Sequence, residues 1–384
     1  MGINLSIPAV VFCLSAGLVS YLIAGYPVLL AFFPWRRLPA PRKDFTDKPS
    51  VTAILAVHNG EAFLRQKLES ILALDYPREL LEILVISDGS TDRTDEIASE
   101  FTDSGVHLLR VTQGGKAAAL NAGMGQARGD IIFFTDVRQR LAPDSLRQLV
   151  AYFADPTIGC VTGELHILNQ TNGEESGMSL YWRYEIWARR QMSLIDSMCG
   201  ATGCIYAIRR ALVKPLPADT LLDDIALPLG AFFEGYRLIV AEEAKAYDLP
   251  FPLDSEFARH VRTLAGVWQL LTRFPQLLGS RNRMRLHFLS HKFGRLIMPY
   301  AALAAILSSL FLPNPWCGVV VTAEAAILAL AMLDLVAPQG SSLKRITSPV
   351  RTLLVLLAAS VCALRIFFVP PQRLWTKARL RDTG

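Results

Sequence analysis

Val51-Thr52-Ala53-Ile54-Leu55-Ala56-Val57 runs straight into His58-Asn59-Gly60-Glu61, and the pattern then recurs: Ile83-Leu84-Val85-Ile86-Ser87 is followed by Asp88-Gly89-Ser90-Thr91-Asp92. Each is a short, continuous, β-branched run closed by turn-forming residues, the signature of a strand buried on both faces. Glu61–Leu74, between them, has helical spacing of its apolar residues. The alternation continues with a helix over Asp92–Phe101, a strand over Val106–Val111, a helix over Lys116–Ala127 and a strand over Ile131–Thr135. A further helix is predicted over Pro143–Phe153, where Pro suits a first turn. Strands alternating with helices predict an α/β fold, a Rossmann-like and mostly parallel sheet with helices on both faces. Ligands on such sheets bind beyond the carboxyl ends of the strands. No internal repeat or low-complexity segment interrupts the pattern.

Outside this region the chain turns apolar. Of its 384 residues 52% are hydrophobic and 19% charged, below the roughly 25% charge of soluble domains. Ile3 to Phe33 carries no charged residue and is long enough for the ~30 Å hydrocarbon layer. It is too long for a cleaved signal peptide and lacks the basic start of one. Arg36, Arg37, Arg42, Lys43 and Lys48 follow it. Basic flanks mark the cytoplasmic side, so the α/β domain is expected there.

Leu296–Leu312, Trp316–Val336 and Val350–Val369 are three more apolar segments. Their charges, Glu324, Asp334 and Arg365, are expected near ends or in helix contacts. Lys344, Arg345 and Arg351 place the loop Pro338–Pro349 on the cytoplasmic side. Four full spans would put the C-terminus outside, against Arg373, Lys377, Arg379 and Arg381; one C-terminal segment is therefore expected to be re-entrant or interfacial. The expected organisation is a transmembrane helix over 1–34, the α/β domain over 48–255, basic interfacial helices over 256–295, transmembrane helices over 296–370 and a basic tail over 371–384. Much of the +5 net charge lies in Arg259, Arg262, Arg273, Arg281, Arg283, Arg285, Lys292 and Arg295, just before the membrane segments. That is a headgroup-facing surface suited to the bilayer rather than a nucleic-acid footprint. None of the six cysteines forms a C-x-x-C pair, so neither a zinc site nor a disulfide framework is indicated.

Candidate site residues cluster at the strand ends. Asp88-Gly89-Ser90-Thr91-Asp92 is a turn and helix cap in any protein, but at a strand end Asp88 is also placed to accept hydrogen bonds from a base or ribose. Gly114-Gly115-Lys116 opens a helix, where backbone N–H groups and a cation suit a phosphate. The P-loop spacing is absent. Asp136, after the Ile131–Thr135 strand, is placed to hold Mg²⁺ or Mn²⁺ together with substrate phosphates.

Taken in order, Ala56–Glu61, Ser87–Asp92, Gly115-Lys116-Ala117-Ala118-Ala119-Leu120-Asn121-Ala122-Gly123 and Phe134-Thr135-Asp136 resemble the family 2 glycosyltransferase domain shared by cellulose, hyaluronan and poly-N-acetylglucosamine synthases. Cys199-Gly200-Ala201-Thr202-Gly203 with Tyr206–Arg210 resembles that family's acceptor-side loop. Leu222-Asp223-Asp224 stands where the family has Thr-Glu-Asp, and Arg259-His260-Val261-Arg262-Thr263 where processive members have Gln-x-x-Arg-Trp. The resemblance spans about Val51 to Arg295. It implies a GT-A fold and inverting transfer of a sugar from a nucleotide diphosphate sugar, a UDP-sugar, to a growing glycan or lipid-linked acceptor in polysaccharide biosynthesis. It implies Asp224 as general base, Asp136 as holder of Mg²⁺ or Mn²⁺, and His58, Asn59, Glu61, Asp88, Lys116, Asp136 and Arg262 on the donor nucleotide. Gly200, Ala201, Thr202, Asp223 and Arg259 fall on the acceptor side. An integral membrane enzyme with a cytoplasmic catalytic domain follows, with room for partner proteins of a synthase complex. A polyprenyl-phosphate sugar transferase and a non-catalytic scaffold partner of a synthase are the alternatives.

Two departures from the family pattern stand out. Arg138 replaces the second acid of Asp-x-Asp, leaving Asp136 and phosphate oxygens for the metal, or Arg138 itself for the diphosphate. Arg259 and Thr263 replace the Gln and Trp of Gln-x-x-Arg-Trp. Loss of the stacking ring points to a short product, with Trp268 as the nearby substitute.

Overall fold

The computed structural model describes residues 6–32, 37–168, 180–249, 253–338 and 341–374; Pro250 and the tail 375–384 lie outside them. The first apolar run forms helix α1 (Ile7–Phe32), with a π-turn at Tyr21–Gly25. Then come strand β1 (Val51–Val57), helix α2 (Glu61–Leu72), β2 (Leu81–Asp88), α3 (Thr94–Glu100), β3 (Val106–Val111), α4 (Lys116–Gln126) and β4 (Ile131–Phe134). These follow the predicted alternation within a residue or two. The helix expected from Pro143 begins later, as α5 (Ser145–Val150).

β1, β2, β3 and β4 pair in parallel, in the order β3-β2-β1-β4. Alternate side chains of each strand enter opposite cores, because side chains in a strand alternate in direction. Ile54, Ile86, Ile132 and Phe134 face one layer; Ala53, Leu55, Val57, Ile83, Val85 and Phe133 face the other. Burying each large side chain contributes about 1.5–3 kcal/mol, so the continuous apolar runs, rather than any polar contact, hold the sheet.

The second half of the sheet is mixed. It comprises β5 (Arg140–Leu141), β6 (Ile158–Ile167), β7 (Tyr206–Arg209) and β8 (Arg237–Asp248). β7 runs antiparallel to both β4 and β6, while β6 and β8 are parallel. Helix α6 (Leu180–Ile195) and helix α7 (Asp223–Phe233) flank this half. The antiparallel switch at β7 brings the 199–205 loop across the end of β4, next to Asp136.

Four helical segments build the apolar end of the molecule: α8 (Leu253–Arg273), a continuous helix α9 over 285–309 with a π-turn at Leu289–Phe293, α10 (Trp316–Val336) and α11 (Lys344–Cys362). Among the described residues, Ile7–Phe32, Trp316–Val336 and Lys344–Phe367 are long and apolar enough to cross a membrane. The span expected at Leu296–Leu312 is not among them: the apolar part of α9, Gly294–Ser309, has 16 residues, short of the ~20 a span needs. It instead completes a longer helix packed antiparallel along α1, with Tyr26 Oη 3.2 Å from His287 Nδ1 and Tyr21 Oη 2.8 Å from Ser290 Oγ. Glu324 is met by the Ser309 hydroxyl at 2.9 Å.

α11 has the length and hydropathy of a span, as part of Lys344–Phe367, and both its ends are tied to neighbouring helices. At its start Asp334, at the end of α10, accepts hydrogen bonds from Thr347 Oγ1 at 2.7 Å, Ser348 Oγ at 2.8 Å and Arg351 at 3.0 Å. At its far end Ser360 Oγ donates to the Arg295 carbonyl at 3.0 Å, and Phe367 packs edge-on to Trp268 of α8 at 5.7 Å. Both ends are thus tied to the side of the bundle that carries the α/β domain, alongside α8. Read as interfacial, α11 would also remove the charge conflict of four spans. If the full 285–309 helix, rather than its 16-residue apolar part alone, crosses with α1 and α10 while α11 lies flat, a reporter fused after Leu374 is expected to sit on the same side of the membrane as one inserted after Lys48. Protease protection of sealed vesicles checks this, and opposite sides would refute it.

Candidate active site

The site is built where β4 ends. Asp136, two residues past the strand, presents its carboxylate to the Lys116 ammonium at 2.9 Å. The same ammonium lies 3.1 Å from Asp223 Oδ2. Lys116 stands at the first turn of α4 and Asp223 at the first turn of α7, so one side chain joins both halves of the sheet. Burial works against the Lys116 charge, but the Asp136 and Asp223 carboxylates outweigh it and hold its pKa above the ordinary lysine value.

Asp224 points elsewhere, as expected for neighbours at a helix start. A Cβ placed on Gly203 would lie 3.3 Å from Asp224 Oδ2 and 3.6 Å from Asp136 Oδ2. Gly203 is therefore the floor on which the two carboxylates converge, and a side chain there would stand between them. Burial first, and the charge of Asp223 second, push the Asp224 carboxyl up to about 6. Loss of solvation and a like-charged neighbour both favour the protonated form. Arg262, one turn beyond Arg259 on α8, has its pKa lowered by burial, an effect opposed by Asp224, Asp223 and Asp136. It belongs with the carboxylates rather than on a lipid-facing surface.

The acceptor-side loop packs on the same point. The Ala201 N–H donates to the Asp224 carbonyl at 2.8 Å. Gly200 has φ +144° with Ile225 against it, a backbone conformation that L side chains rarely adopt. Thr202 receives the Arg189 guanidinium on Oγ1 at 2.7 Å. Arg259 sits one turn earlier on α8 than Arg262, in the field of Glu256, Arg138, Arg262 and Asp248.

The expected donor residues are brought together, though several carry loop contacts. Asp88 is 5% exposed, and its two oxygens accept the N–H groups of Gly114 and Gly115 at 2.7 and 2.9 Å. The Gly-Gly turn is thus capped by a carboxylate, and its amides are not a phosphate cradle as the motif suggested. His58 Nδ1 lies 2.7 Å from the Asp88 carbonyl. Asn59, at φ 51°, accepts the Thr91 N–H at 2.8 Å. Glu61 accepts the Arg93 N–H at 3.0 Å. These residues lock the loop after β1 to the loop after β2.

Two other expectations are corrected. Arg138 ion-pairs with the buried carboxylate of Asp248, which also takes Gln139 Nε2 at 2.7 Å; the guanidinium is committed there rather than to a diphosphate. Trp268 is packed between Phe293 and Phe367 at 6.3 and 5.7 Å, so it does not replace the missing stacking ring. The Thr263 hydroxyl turns back to the Arg259 carbonyl.

Lys67 was not marked by any motif. It is 1% exposed and donates to Thr135 Oγ1 at 2.6 Å and the Gln139 carbonyl at 2.7 Å. It clamps the 135–139 loop that carries Asp136. Burial lowers its pKa to about 8. Arg189 is the other such residue; on an amphipathic helix neither differs in pattern from a surface cation.

Among the described residues no three acidic, histidine or cysteine side chains are grouped to hold a metal. Asp136 is the more open of the two carboxylates paired with Lys116, its side chain 37% exposed against 6% for Asp223. One carboxylate fits an ion of the Mg²⁺ type, which is commonly held by one or two carboxylates plus substrate phosphates and water; it does not fit a closed all-protein site.

The Glycosyl transferase family 2 model matches residues 52–216. The chain is 33% identical over 142 residues to the beta-monoglucosyldiacylglycerol synthase of Synechocystis, covering 34% of this chain and 30% of that one. It is 26% identical over 251 residues to the poly-beta-1,6-N-acetyl-D-glucosamine synthase of Staphylococcus epidermidis, covering 63% and 58%. It thus spans about half the length, or less, of these curated relatives. A mannosyltransferase of Pyrobaculum calidifontis, solved with GDP-mannose and Mn²⁺, superposes with a TM-score of 0.72 at 22% identity, over 93% of this chain and 99% of that one. A parallel half-sheet with its polar clusters at the strand ends, the ordered motifs from Ala56 to Asp136 and these likenesses agree: residues 52–216 match the family 2 glycosyltransferase model, on a GT-A fold.

Proposed function

We propose that this protein transfers a sugar, with inversion, from a nucleoside diphosphate sugar to the hydroxyl of an acceptor that reaches the site from the membrane side. The observation that carries this is the Asp136–Lys116–Asp223 bridge with Asp224, raised to about 6, facing the same floor at Gly203. A carboxyl with a pKa near the working pH is matched to removing a proton as the new bond forms. The location of α8 supports a membrane-side acceptor: its arginines reach the carboxylates, and it lies against α11. A relative that is a glycolipid synthase and one that is a polysaccharide synthase support acceptors of lipid or glycan type.

In this reading the loops after β1 and β2, with His58, Asn59, Glu61 and Asp88, form the nucleoside wall. Lys116 and Arg262 face the diphosphate and steady the charge that develops on it as the sugar leaves. Asp136 holds Mg²⁺ or Mn²⁺, which when bound neutralises diphosphate charge. Donor entry exchanges the Lys116–Asp136 contact for contacts to phosphate. Gly200, Ala201 and Thr202 shape the acceptor side, Asp223 keeps Lys116 in place, and Asp224 takes the acceptor proton.

Asp224→Asn is expected to lower turnover at least about a hundredfold while nucleoside diphosphate binding stays near wild type; retained turnover would remove Asp224 as base and would suit an acceptor whose nucleophile is already an anion, such as a lipid phosphate. The pH profile of the wild type is expected to rise through about 6, because the base works only when ionised. Asp223→Asn removes a charge that raises the Asp224 pKa, so the limb is expected to move to lower pH; an unmoved limb assigns it to another group. Chelation is expected to abolish turnover and added Mn²⁺ to restore it, with little response left in Asp136→Asn. Undiminished activity in excess chelator would refute the metal role.

A further inference from the structure

Beneath the acceptor-side loop, away from the donor, lies a second group of charges. Glu185 on α6 ion-pairs with Arg295 and lies 3.6 Å from His291 Nε2. Arg295 also donates to the Tyr181 hydroxyl at 3.0 Å. Lys292, between His291 and Arg295 in the chain, makes no hydrogen bond or ion pair among the described residues. The charges that act on it are Arg189, Glu185 and Arg295. Three cations, Arg189, Lys292 and Arg295, therefore face one carboxylate, and that carboxylate is taken by Arg295. Arg189 continues the line upward: it holds Thr202 and is one of the charges that act on Asp224. The cations thus run from the catalytic carboxylate down to α9, the helix that leads into the apolar bundle.

The local backbone is unusual at the same place. The π-turn Leu289–Phe293 of α9 carries Lys292, and the π-turn Tyr21–Gly25 of α1 packs on it through Tyr21–Ser290 and Leu22–Gly294 contacts. A π-turn inserts a residue into a helix and is frequently found at functional sites. Here it carries Lys292 within the field of Arg189 and Glu185 of α6. Cations removed from bulk water cost free energy unless an anion meets them, and the described residues offer Lys292 none of its own.

We infer that Arg189 and Lys292 form a phosphate-binding subsite for the acceptor, which is a membrane lipid carrying a phosphate ester close to the hydroxyl that attacks. This rests on the transfer reading above and names its acceptor class. The lipid lies with its chains toward α1 and α9, its phosphate on Lys292 and Arg189, and its hydroxyl at Asp224. The hydroxyl oxygen bonds to the anomeric carbon, the bond from that carbon to the diphosphate breaks with its electron pair leaving on the diphosphate, and the proton passes to Asp224.

The test is binding, independent of turnover. The full chain in a neutral maltoside detergent is titrated with dodecyl phosphate, dodecanol or inorganic phosphate and read by native mass spectrometry. Dodecyl phosphate is expected to bind saturably, about tenfold more weakly to Lys292→Met, since charge-assisted contacts are the strong ones, and near wild type to Lys292→Arg. Nucleoside diphosphate binding to Lys292→Met, unchanged, shows that the variant is folded. Equal binding of dodecanol, or wild-type binding by Lys292→Met, would overturn the subsite. Competition by inorganic phosphate at the same concentration would overturn its lipid character. Loss of turnover in Asp224→Asn has no bearing on this titration, so the two readings fail separately.

Discussion

One ammonium group holds the site together. Lys116 sits between Asp136, which comes from the parallel half of the sheet, and Asp223, which comes from the helix following the antiparallel half. Without a cation at that point, three carboxylates would share one partly desolvated floor, and like charges at such range push each other toward protonation. With it, Asp136 and Asp223 share a cation while Asp224, outside the bridge, is left with a raised pKa. Two carboxyl groups adjacent in sequence are thereby given different chemistry by where a single lysine reaches.

The bridge depends on loops that are themselves held from behind. Lys67 fixes the 135–139 loop from within the core, through Thr135 and the Gln139 carbonyl. Asp88 fixes the Gly114-Gly115 turn that precedes Lys116. Arg138, the departure from Asp-x-Asp, neutralises Asp248 at the end of β8. The substitution ties the edge of the sheet to the Asp136 loop. Preorganised positions of this kind matter because a stabilising charge acts only where the reaction places its own.

The parallel half of the fold was legible in the sequence because continuous apolar runs such as Val51–Val57 can be buried only between two layers. Asp88 and Asp136 were legible because each follows such a run, whereas Asp223 and Asp224 were placed by the family resemblance alone. The antiparallel half was not: Tyr206–Arg209 and Arg237–Asp248 pair with strands distant in the chain, and nothing in local periodicity states a partner. Lys67 and Arg189 were hidden for a related reason, since a buried cation on an amphipathic helix reads like an exposed one. The motif at Gly114-Gly115 misled, because glycine in a turn announces backbone freedom but not whether a ligand or a neighbouring carboxylate takes the amides. At α11 local length and hydropathy did not announce the ties at both ends, through Asp334 and Ser360.

The membrane end and the catalytic end are one construction. Helix α8 presents Arg262 to the carboxylates on one side and lies against α11 on the other, while α9 carries Arg295 to Glu185 on α6. In the proposed reading, an acceptor that approaches along these helices arrives at Asp224 without crossing the nucleoside wall. A structure of the protein with a nucleoside diphosphate and Mn²⁺ tests the account most directly. It should show the diphosphate between Lys116 and Asp136, the metal on Asp136, and Asp224 open toward α8. A nucleotide bound away from Lys116, or one that covers Asp224, would contradict it.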